Sequence, residues 1–599
     1  MAKVEHTLDR LDGNQLFLAL SAGLLAVRHR QDYLNRINVF PVPDGDTGTN
    51  IAVTLSHALE AARISDSAGE TLTSIATAAL VGARGSSGII VAQFLGGFAE
   101  TLRGFSQVTV DSFVEAVENA ASRAYESVTE PAEGTILSVM RAWAEALRSE
   151  LDQADSLAEL LVATSTALRA ALEETGHELA ALREAGVVDA GACGFVELVA
   201  GMESFVDGRA PAAALSGAAG PLPTDEAPDL HESGEGRYRY CTEALLVTAA
   251  VGHEILRTEL ESLGDNLIVA GDKRRARVHI HTDRPAEVFR AIAPAGRIVQ
   301  QKVDDMRLQF EVAHRRKYPI AIVTDSICDL PRELLDLHQI QVVPLHVHFG
   351  DDEYLDRLTI DSERFFELVE RSPQLPSSSQ PTTSSFARLY AYLATYYDSI
   401  IAVHVASKLS GTFGTSAKAA ASLAGEKKIS VIDSGQVSGS LGLVVLRAAE
   451  TVAAGASHDD AVAEIESFTG KAEILVSVRK LENMVRGGRV KPVAGAIGRA
   501  LNLKPIVSLD SEGKSTLYGK AFSVRRNQAK IVEMVARRHQ TGPLRYYAVE
   551  HAQDESAARE LGARLEEELG FPPLFIGEIS SVVAVHAGRG ALSVVTMQE

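Results

Sequence analysis

The chain has 599 residues, beyond the size at which one hydrophobic core keeps growing, so several domains are expected. Hydrophobic residues at 46% and charged residues at 23% exclude wholesale disorder, and a formal charge of −21 argues against a nucleic-acid partner, which would need clustered Lys and Arg. Cys193, Cys241 and Cys328 are too scattered for a disulfide framework, so a reducing compartment, the cytoplasm, is expected; the charged N-terminus lacks the apolar core of a signal peptide, and no apolar run of about 18 residues predicts a spanning helix.

Apolar residues recur at helical spacing over 16–37, and after a Pro- and Gly-rich break at 41–48 the pattern resumes over 50–64, 71–81, 88–102, 110–127, 135–151, 157–175 and 192–205. So many Ala-rich helices with short connections predict a bundle or helical barrel over residues 1–206. Residues 207–237 turn to Ala, Gly, Pro and acid, the composition of a linker. Over 238–313, the strand-like run ALLVTAAV, a helix, the strands NLIVAGD and ARVHIHT and a short helix from Pro285 predict a small α+β domain. Over 314–599, IAIVTDS, SIIAVHVAS, ISVIDSG and EILVSV alternate with helices, and HAGRGALSVVTMQE closes the chain with a strand; this is α/β patterning with a parallel or mixed sheet.

The most informative segment is NVFPVPDGDTGTN, residues 38–50. Asp44 and Asp46 stand one residue apart in a turn that Pro43 and the glycines keep out of a helix, so both can face one cation. Magnesium takes oxygen ligands at about 2.0–2.1 Å and keeps positions open for phosphates, and Asn38 could add a neutral carbonyl. Thr47, Gly48, Thr49 and Asn50 lead into the next helix, whose free amides favour an anion. A bare Asp-Gly-Asp is more often a solvated turn; the prolines before it and TGTN behind it reverse that preference. Two further Gly-rich stretches, 82–88 (GARGSSG, with Ser86, Ser87 and Gly88) and 189–194 (DAGACG, with Asp189 and Gly191), each precede a helix; either alone is unspecific, but their joint presence strengthens a phosphate site.

In the middle segment, His279 and His281 lie two apart on a strand and share a face. With Cys241 they form a set that suits zinc, although spacing alone favours a merely polar strand face. In the last segment, Thr324, Asp325 and Ser326 end one apolar strand and residues 407–412 (SKLSGT) follow another, at carboxyl ends where open α/β sheets bind ligands.

Together NVFPVPDGDTGTNI, GARGSSG, PAEGTILSV and AGVVDAGACG resemble the DhaL-type kinase domain of dihydroxyacetone kinases and bacterial fatty-acid kinase. The resemblance implies an all-α helical barrel that binds ATP and Mg2+ through Asp44 and Asp46, with Thr49, Asn50, Ser86 and Ser87 at phosphate-loop positions and the loop of Asp189 and Gly191 near the nucleotide. Asn38 stands where dihydroxyacetone kinases have a further Asp, Ser86 replaces a usual Asn, and Ala192-Cys193 replaces a usual Gly-Gln. YCTE, GDNLIVAGD and VHIHTDRP are similar to the middle domain of fatty-acid kinases, which adds zinc at Cys241, His279 and His281.

IVTDSICDLP, LPSSSQPTT, VASKLSGTFGTS, RGGRVKP and HAGRG resemble the DegV family of fatty-acid-binding proteins, in which the acyl chain lies between two subdomains. That resemblance implies Ser378, Ser379, Ser410 and Gly411 at the carboxylate, with Arg489 and His586 beside the headgroup as substrate-binding and catalytic groups; Ser378 replaces a usual Thr. The implied activity is phosphorylation of a fatty acid held in the chain's own DegV-type domain. Separate fatty-acid carrier proteins, an acyltransferase and a homodimeric state are the associated expectations. A glycerone-type kinase acting on a small polyol or ketone and a non-catalytic lipid sensor are the competing readings.

Overall fold

The computed structural model describes residues 10–209, 237–248, 252–271, 274–423, 425, 427–479, 481–489 and 504–599. Most of the Ala/Gly/Pro-rich linker, and Val490, Lys491 and Pro492 of the RGGRVKP motif, lie outside the described residues. The chain forms two compact units, residues 1–310 and 311–599. No described helix is long and apolar enough to cross a membrane.

The first unit begins with nine described helices: α1 (Gly13–Arg36), α2 (Thr47–Glu60), α3 (Ala68–Gly82), α4 (Gly85–Thr101), α5 (Val110–Ser127), α6 (Ile136–Glu150), α7 (Leu157–Glu178), the short α8 (Ala180–Ala185) and α9 (Ala190–Val206). Their Ala and Gly content has a packing cause. A Cβ on Gly201 of α9 would come 2.5 Å from the Ala22 carbonyl of α1, and one on Gly97 of α4 would come 2.7 Å from the Ala120 Cα of α5, so these backbones touch where larger side chains would hold them apart. Between them Phe94, Phe98, Phe113, Trp143 and Phe195 stack and edge-pack into an aromatic core.

The same unit continues through β1 (Tyr240–Thr248), α10 (His253–Leu260), β2 (Asp265–Gly271), β3 (Arg275–Thr282), α11 (Pro285–Ile292) and β4 (Gly296–Asp305). The strands form an antiparallel sheet of order β2-β3-β1-β4. This module packs onto the helices: Ile268 and Ala270 of β2 join the helical core, Thr129 N–H donates to the Leu267 carbonyl at 3.1 Å, and the Arg277 guanidinium donates to the Val81 carbonyl at 3.1 Å.

The second unit is α/β, with three sheets among the described residues. A parallel sheet of order β11-β10-β5-β6 is made from β5 (Ile320–Asp325), β6 (Gln341–Val343), β10 (Ser399–His404) and β11 (Lys428–Asp433). A small antiparallel sheet of order β8-β7-β9 uses β7 (His346–Phe349), β8 (Asp352–Leu355) and β9 (Ser377–Ser379). A six-stranded, mostly antiparallel sheet of order β14-β13-β12-β17-β15-β16 comprises β12 (Ala472–Ser477), β13 (Lys504–Leu509), β14 (Ser515–Ala521), β15 (Leu544–His551), β16 (Ile576–Glu578) and β17 (Leu592–Gln598). The alternation of strands and helices therefore resolves into separate parallel and mixed sheets, because the later strands return antiparallel on β12 and β17.

Candidate functional site

In the first unit, one cavity is lined by Asn38, Asp44, Asp46, Asn50, Ser86 and Ser87 from the helices and by Cys241, His279, His281, Lys302 and Asp304 from the sheet module. The turn at 41–46 delivers both Asp side chains to it. Burial and the adjacent Asp46 carboxylate push Asp44 well above the usual carboxylate range, and burial raises Asp46 as well. Two acids held side by side and half-buried call for a cation. Asn38 Nδ2 donates to Asp44 Oδ1 at 2.5 Å and its Oδ1 accepts from the Thr47 hydroxyl at 2.9 Å, so it braces the carboxylate. Asn50 Nδ2 does the same for Asp46 Oδ1 at 2.6 Å.

The helix starts match this arrangement. The helices α1, α3, α5, α6, α7 and α9 each have an N-cap side chain that accepts from the first turn, whereas α2 and α4, which open onto the cavity, have none. Gly85 begins α4 at φ +58, and a Cβ there would come 2.3 Å from Asn50 Nδ2. Only glycine fits that approach. Gly48 and Gly88 serve packing: a Cβ on the first would meet the Gln31 carbonyl at 2.5 Å, and on the second the Thr54 hydroxyl at 2.4 Å. The Thr49 hydroxyl accepts from Asn35 at 2.9 Å and so turns toward α1.

Asp189 and Gly191 lie outside the cavity lining. The Asp189 carboxylate caps α9 by accepting from Ala192 N–H at 2.7 Å and also accepts from Ile136 N–H at 3.0 Å, tying two helix starts together; burial raises it to about 6.

The sheet contributes residues at alternate positions, in two cross-strand rows. One row is His281–Cys241–Asp304 and the next is His279–Glu243–Lys302, read across β3, β1 and β4. Cys241 Sγ lies 3.7 Å from His279 Nδ1, and ligand atoms of Cys241, His279 and His281 all fall within 4.8 Å of one another. His279 Nε2 is buried with no hydrogen-bond partner among the described residues, which suits a metal ligand. Burial, then the neighbouring His279, holds His281 well below its ordinary value, keeping it the neutral imidazole a metal needs.

Sequence reasoning missed Glu243, Arg277, Lys302 and Asp304. Glu243 is 1% exposed and accepts from Gly85 N–H at 2.8 Å and from Arg277 at 2.7 Å, fastening the Gly-rich loop to the sheet. Burial works against its charge, yet Lys302, His279 and Arg277 hold it well below the usual range. The missed signal was the same two-residue spacing that marked His279 and His281, repeated as Cys241/Glu243 and Lys302/Asp304.

In the second unit, Arg489 donates to the Leu409 carbonyl at 3.1 Å, beside Ser410. His586 packs so closely on Gly487 that a Cβ there would sit 2.4 Å from its Nδ1, and that nitrogen is buried without a hydrogen-bond partner among the described residues. Burial and the Arg489 charge lower His586 to about 4. Gln380, just past β9, packs on Gly411 and donates to the Thr415 hydroxyl at 2.9 Å, which brings the end of the Ser378 strand to the Ser410 loop. Ser379 turns the other way and bonds His348 Nε2 at 2.8 Å. Thr324 and Asp325 are buried, and the Asp325 carboxylate engages His404 Nδ1 at 3.0 Å.

Comparison with known proteins places this geometry. Family models match in succession: the DAK2 domain over residues 41–204, the FakA-like middle domain of fatty acid kinases over 237–313, and the DegV family, described as uncharacterised, over 319–599. An uncharacterized protein of Staphylococcus epidermidis is 30% identical over 323 residues, covering 52% of this chain and 58% of that protein. One from Staphylococcus aureus strain USA300 is 28% identical over 319 residues, with the same coverage of 52% and 58%. The chain thus spans 58% of the length of these curated relatives. Among solved structures, DegV, a fatty acid binding protein from Bacillus subtilis, is 29% identical with a TM-score of 0.44, covering 47% of this chain and 100% of that one. A DegV family protein from Thermus thermophilus, described by its fatty acid binding, is 28% identical with a TM-score of 0.43, covering 47% and 100%. The chain matches, in this order, a DAK2 domain, a FakA-like middle domain and a DegV-family domain, which is a fatty-acid kinase-like architecture.

Proposed function

We propose that the chain is an ATP-dependent fatty-acid kinase that phosphorylates the carboxylate of a fatty acid held in its own second unit, yielding acyl phosphate and ADP. The observation that carries this reading is the pair Asp44 and Asp46, half-buried side by side at two helix starts whose own N-cap side chains make no capping bond, in a cavity whose other wall comes from the FakA-like middle segment.

A fatty acid ionises at about pH 4 to 5, so at neutral pH its carboxylate is already the nucleophile and no general base is required. A carboxylate oxygen forms the new bond to the γ-phosphorus while the bond from that phosphorus to the β,γ-bridging oxygen breaks and leaves its electron pair on ADP. The obstacle is repulsion between two anions. Asp44 and Asp46 would hold Mg2+, which neutralises phosphate charge as it builds. Cys241, His279 and His281 would hold Zn2+ on the facing wall, a second fixed positive charge. With Thr49 N–H spent on Asn35 and Gly85 N–H on Glu243, the amides of Gly48, Ser86 and Ser87 and the Ser86 and Ser87 hydroxyls would serve the phosphate oxygens. In the second unit, Ser378 and Ser410 would supply hydroxyls, and Arg489 and His586, whose Nδ1 has no partner among the described residues, would supply donors, for the fatty-acid carboxylate.

ATP turnover by the full chain tests the reading: stimulation by a long-chain fatty acid is expected. Stimulation by dihydroxyacetone instead, the reading that the DAK2 match favours, would replace it. A protein that binds lipid with no turnover under either condition would be a sensor. Metal analysis should find zinc in the wild type and lose it in Cys241→Ser.

A further inference from the structure

Three carboxylates, Asp44, Asp46 and Asp304, line the cavity of the first unit, and among its described lining residues Lys302 is the one lysine or arginine. Arg277, a neighbouring cation on β3 that does not line the cavity, is 1% exposed and bonds Glu243 at 2.7 Å, the Val81 carbonyl at 3.1 Å and Gln300 at 3.1 Å. Lys302 is differently placed. Its side chain remains 28% exposed and its ammonium touches Asp304, which is 26% exposed. An ammonium has three N–H donors, so the contact with Asp304 fixes its position and leaves donors for a ligand. Burial opposes its charge, but Asp304, Glu243, Cys241 and Asp46 together keep it cationic. Its field reaches both Asp44 and Asp46.

Asp44 and Asp46 would hold a divalent metal whose charge draws nucleotide phosphates into the cavity, and Lys302 lines that same cavity. A point-charge donor there acts on the group a triphosphate has and a diphosphate lacks. We propose that Lys302, carried in by β4, grips the terminal phosphoryl group and lets the cavity tell a nucleoside triphosphate from a diphosphate. The proposal rests on the kinase reading above and adds the residue that recognises the transferred group.

Titration calorimetry on the full chain with magnesium, using the non-hydrolysable triphosphate AMPPNP and separately ADP, tests it. Lys302→Met is expected to weaken AMPPNP binding about tenfold to a hundredfold, the range for a lost hydrogen bond from a charged group, with ADP affinity within about twofold of wild type. Lys302→Arg should restore most of the preference, and Lys302→Gln, which keeps a donor without the charge, should not. If the Met variant melts early, the Arg and Gln pair decides. Equal losses for both nucleotides, or an unchanged ratio, would overturn the proposal. Because the ratio is read without turnover, a protein that discriminates through Lys302 yet ignores fatty acid supports this assignment while removing the acceptor. A wild type that takes up neither nucleotide removes the kinase reading and the assignment with it.

Discussion

Each unit holds an array of polar side chains built on carboxylates, and the two arrays differ in one respect that separates chemistry from architecture. In the second unit Asp325, His404, Ser416 and Tyr390 form a chain of hydrogen bonds: Asp325 to His404 at 3.0 Å, His404 Nε2 to the Ser416 hydroxyl at 2.8 Å, and Ser416 to the Tyr390 hydroxyl at 2.5 Å. By residue type and order this is the arrangement of a hydrolytic triad. All four residues are 0% exposed, and Asp325 Oδ2 also accepts from Val405 N–H. Both imidazole nitrogens are engaged, and no substrate can arrive. The cavity of the first unit is the reverse case: desolvation raises Asp44 and Asp46 despite Lys302, Asn38 and Asn50, and His279 Nε2 has no partner among the described residues. Buried polar groups are normally satisfied, so a set left incomplete around a cavity marks a ligand more reliably than any pattern of residue names.

The sharpest way to break that contrast is to remove one member of each set. Asp46→Ala is expected to cost about a thousandfold or more in fatty-acid-dependent ATP turnover, the scale of losing charge stabilisation in phosphoryl transfer. It should not lower the melting temperature, because it relieves repulsion with Asp44. Turnover at the wild-type rate would end the metal assignment. His404→Ala should do the opposite, destabilising the second unit by about 1–3 kcal/mol in urea denaturation, since it removes one partner of the buried Asp325 carboxyl and leaves the Ser416 hydroxyl short of another, while AMPPNP binding to the first unit is unchanged. A stable His404→Ala protein that had lost an esterase activity would instead make the array catalytic.

Dependence on pH sharpens the comparison by sign. Glu550 is 0% exposed, accepts from Ser593 at 2.8 Å and Ser438 at 3.2 Å, and is raised by burial and by Asp329 to about 8. A carboxyl raised in the folded state binds its proton more tightly than the unfolded chain does, so its stabilisation is full below the unfolded value of 4.5 and is lost as pH climbs toward about 8. The expected slope for one such group is up to about 1.4 kcal/mol per pH unit, and Glu550→Gln should flatten it. Asp44 and Asp46 are raised with the same sign. Magnesium should abolish their contribution and leave that of Glu550 intact. A magnesium effect that vanished in Glu550→Gln would place the ion in the wrong unit.

Half of the first unit's cavity was legible in the sequence and half was not. Helical periodicity gave the helices to within a few residues, and the prolines and glycines around Asp44 and Asp46 marked a non-helical turn in which both carboxylates could face one cation. The strand β4 escaped because GRIVQQKVDD is mostly polar, partly exposed and without an apolar stripe, so Lys302 and Asp304 had no element to stand on. Even with it, register is needed to know that Lys302 faces Glu243 and that Asp304 faces Cys241. Asp189 shows the converse: a residue in a Gly-rich loop before a helix reads equally as a phosphate loop or a cap, and the hydrogen bonds make it a cap.

The smallest expected effect separates neighbours in one strand. Ser378 pairs across β9 and β7 with Val347, which is fully buried, so its side chain shares the inner face; Ser379 pairs with His346 and bonds His348 on the outer face. A strand alternates faces at every residue, and a slip of one position would exchange the two. Ser378→Ala should therefore weaken binding of a fluorescent fatty acid about tenfold, the cost of one hydrogen bond to a charged group, while Ser379→Ala stays within about twofold. Should the two results be interchanged, the acyl carboxylate would sit on the histidine face of the small sheet, and Ser410, Arg489 and His586 would lose their part in holding it.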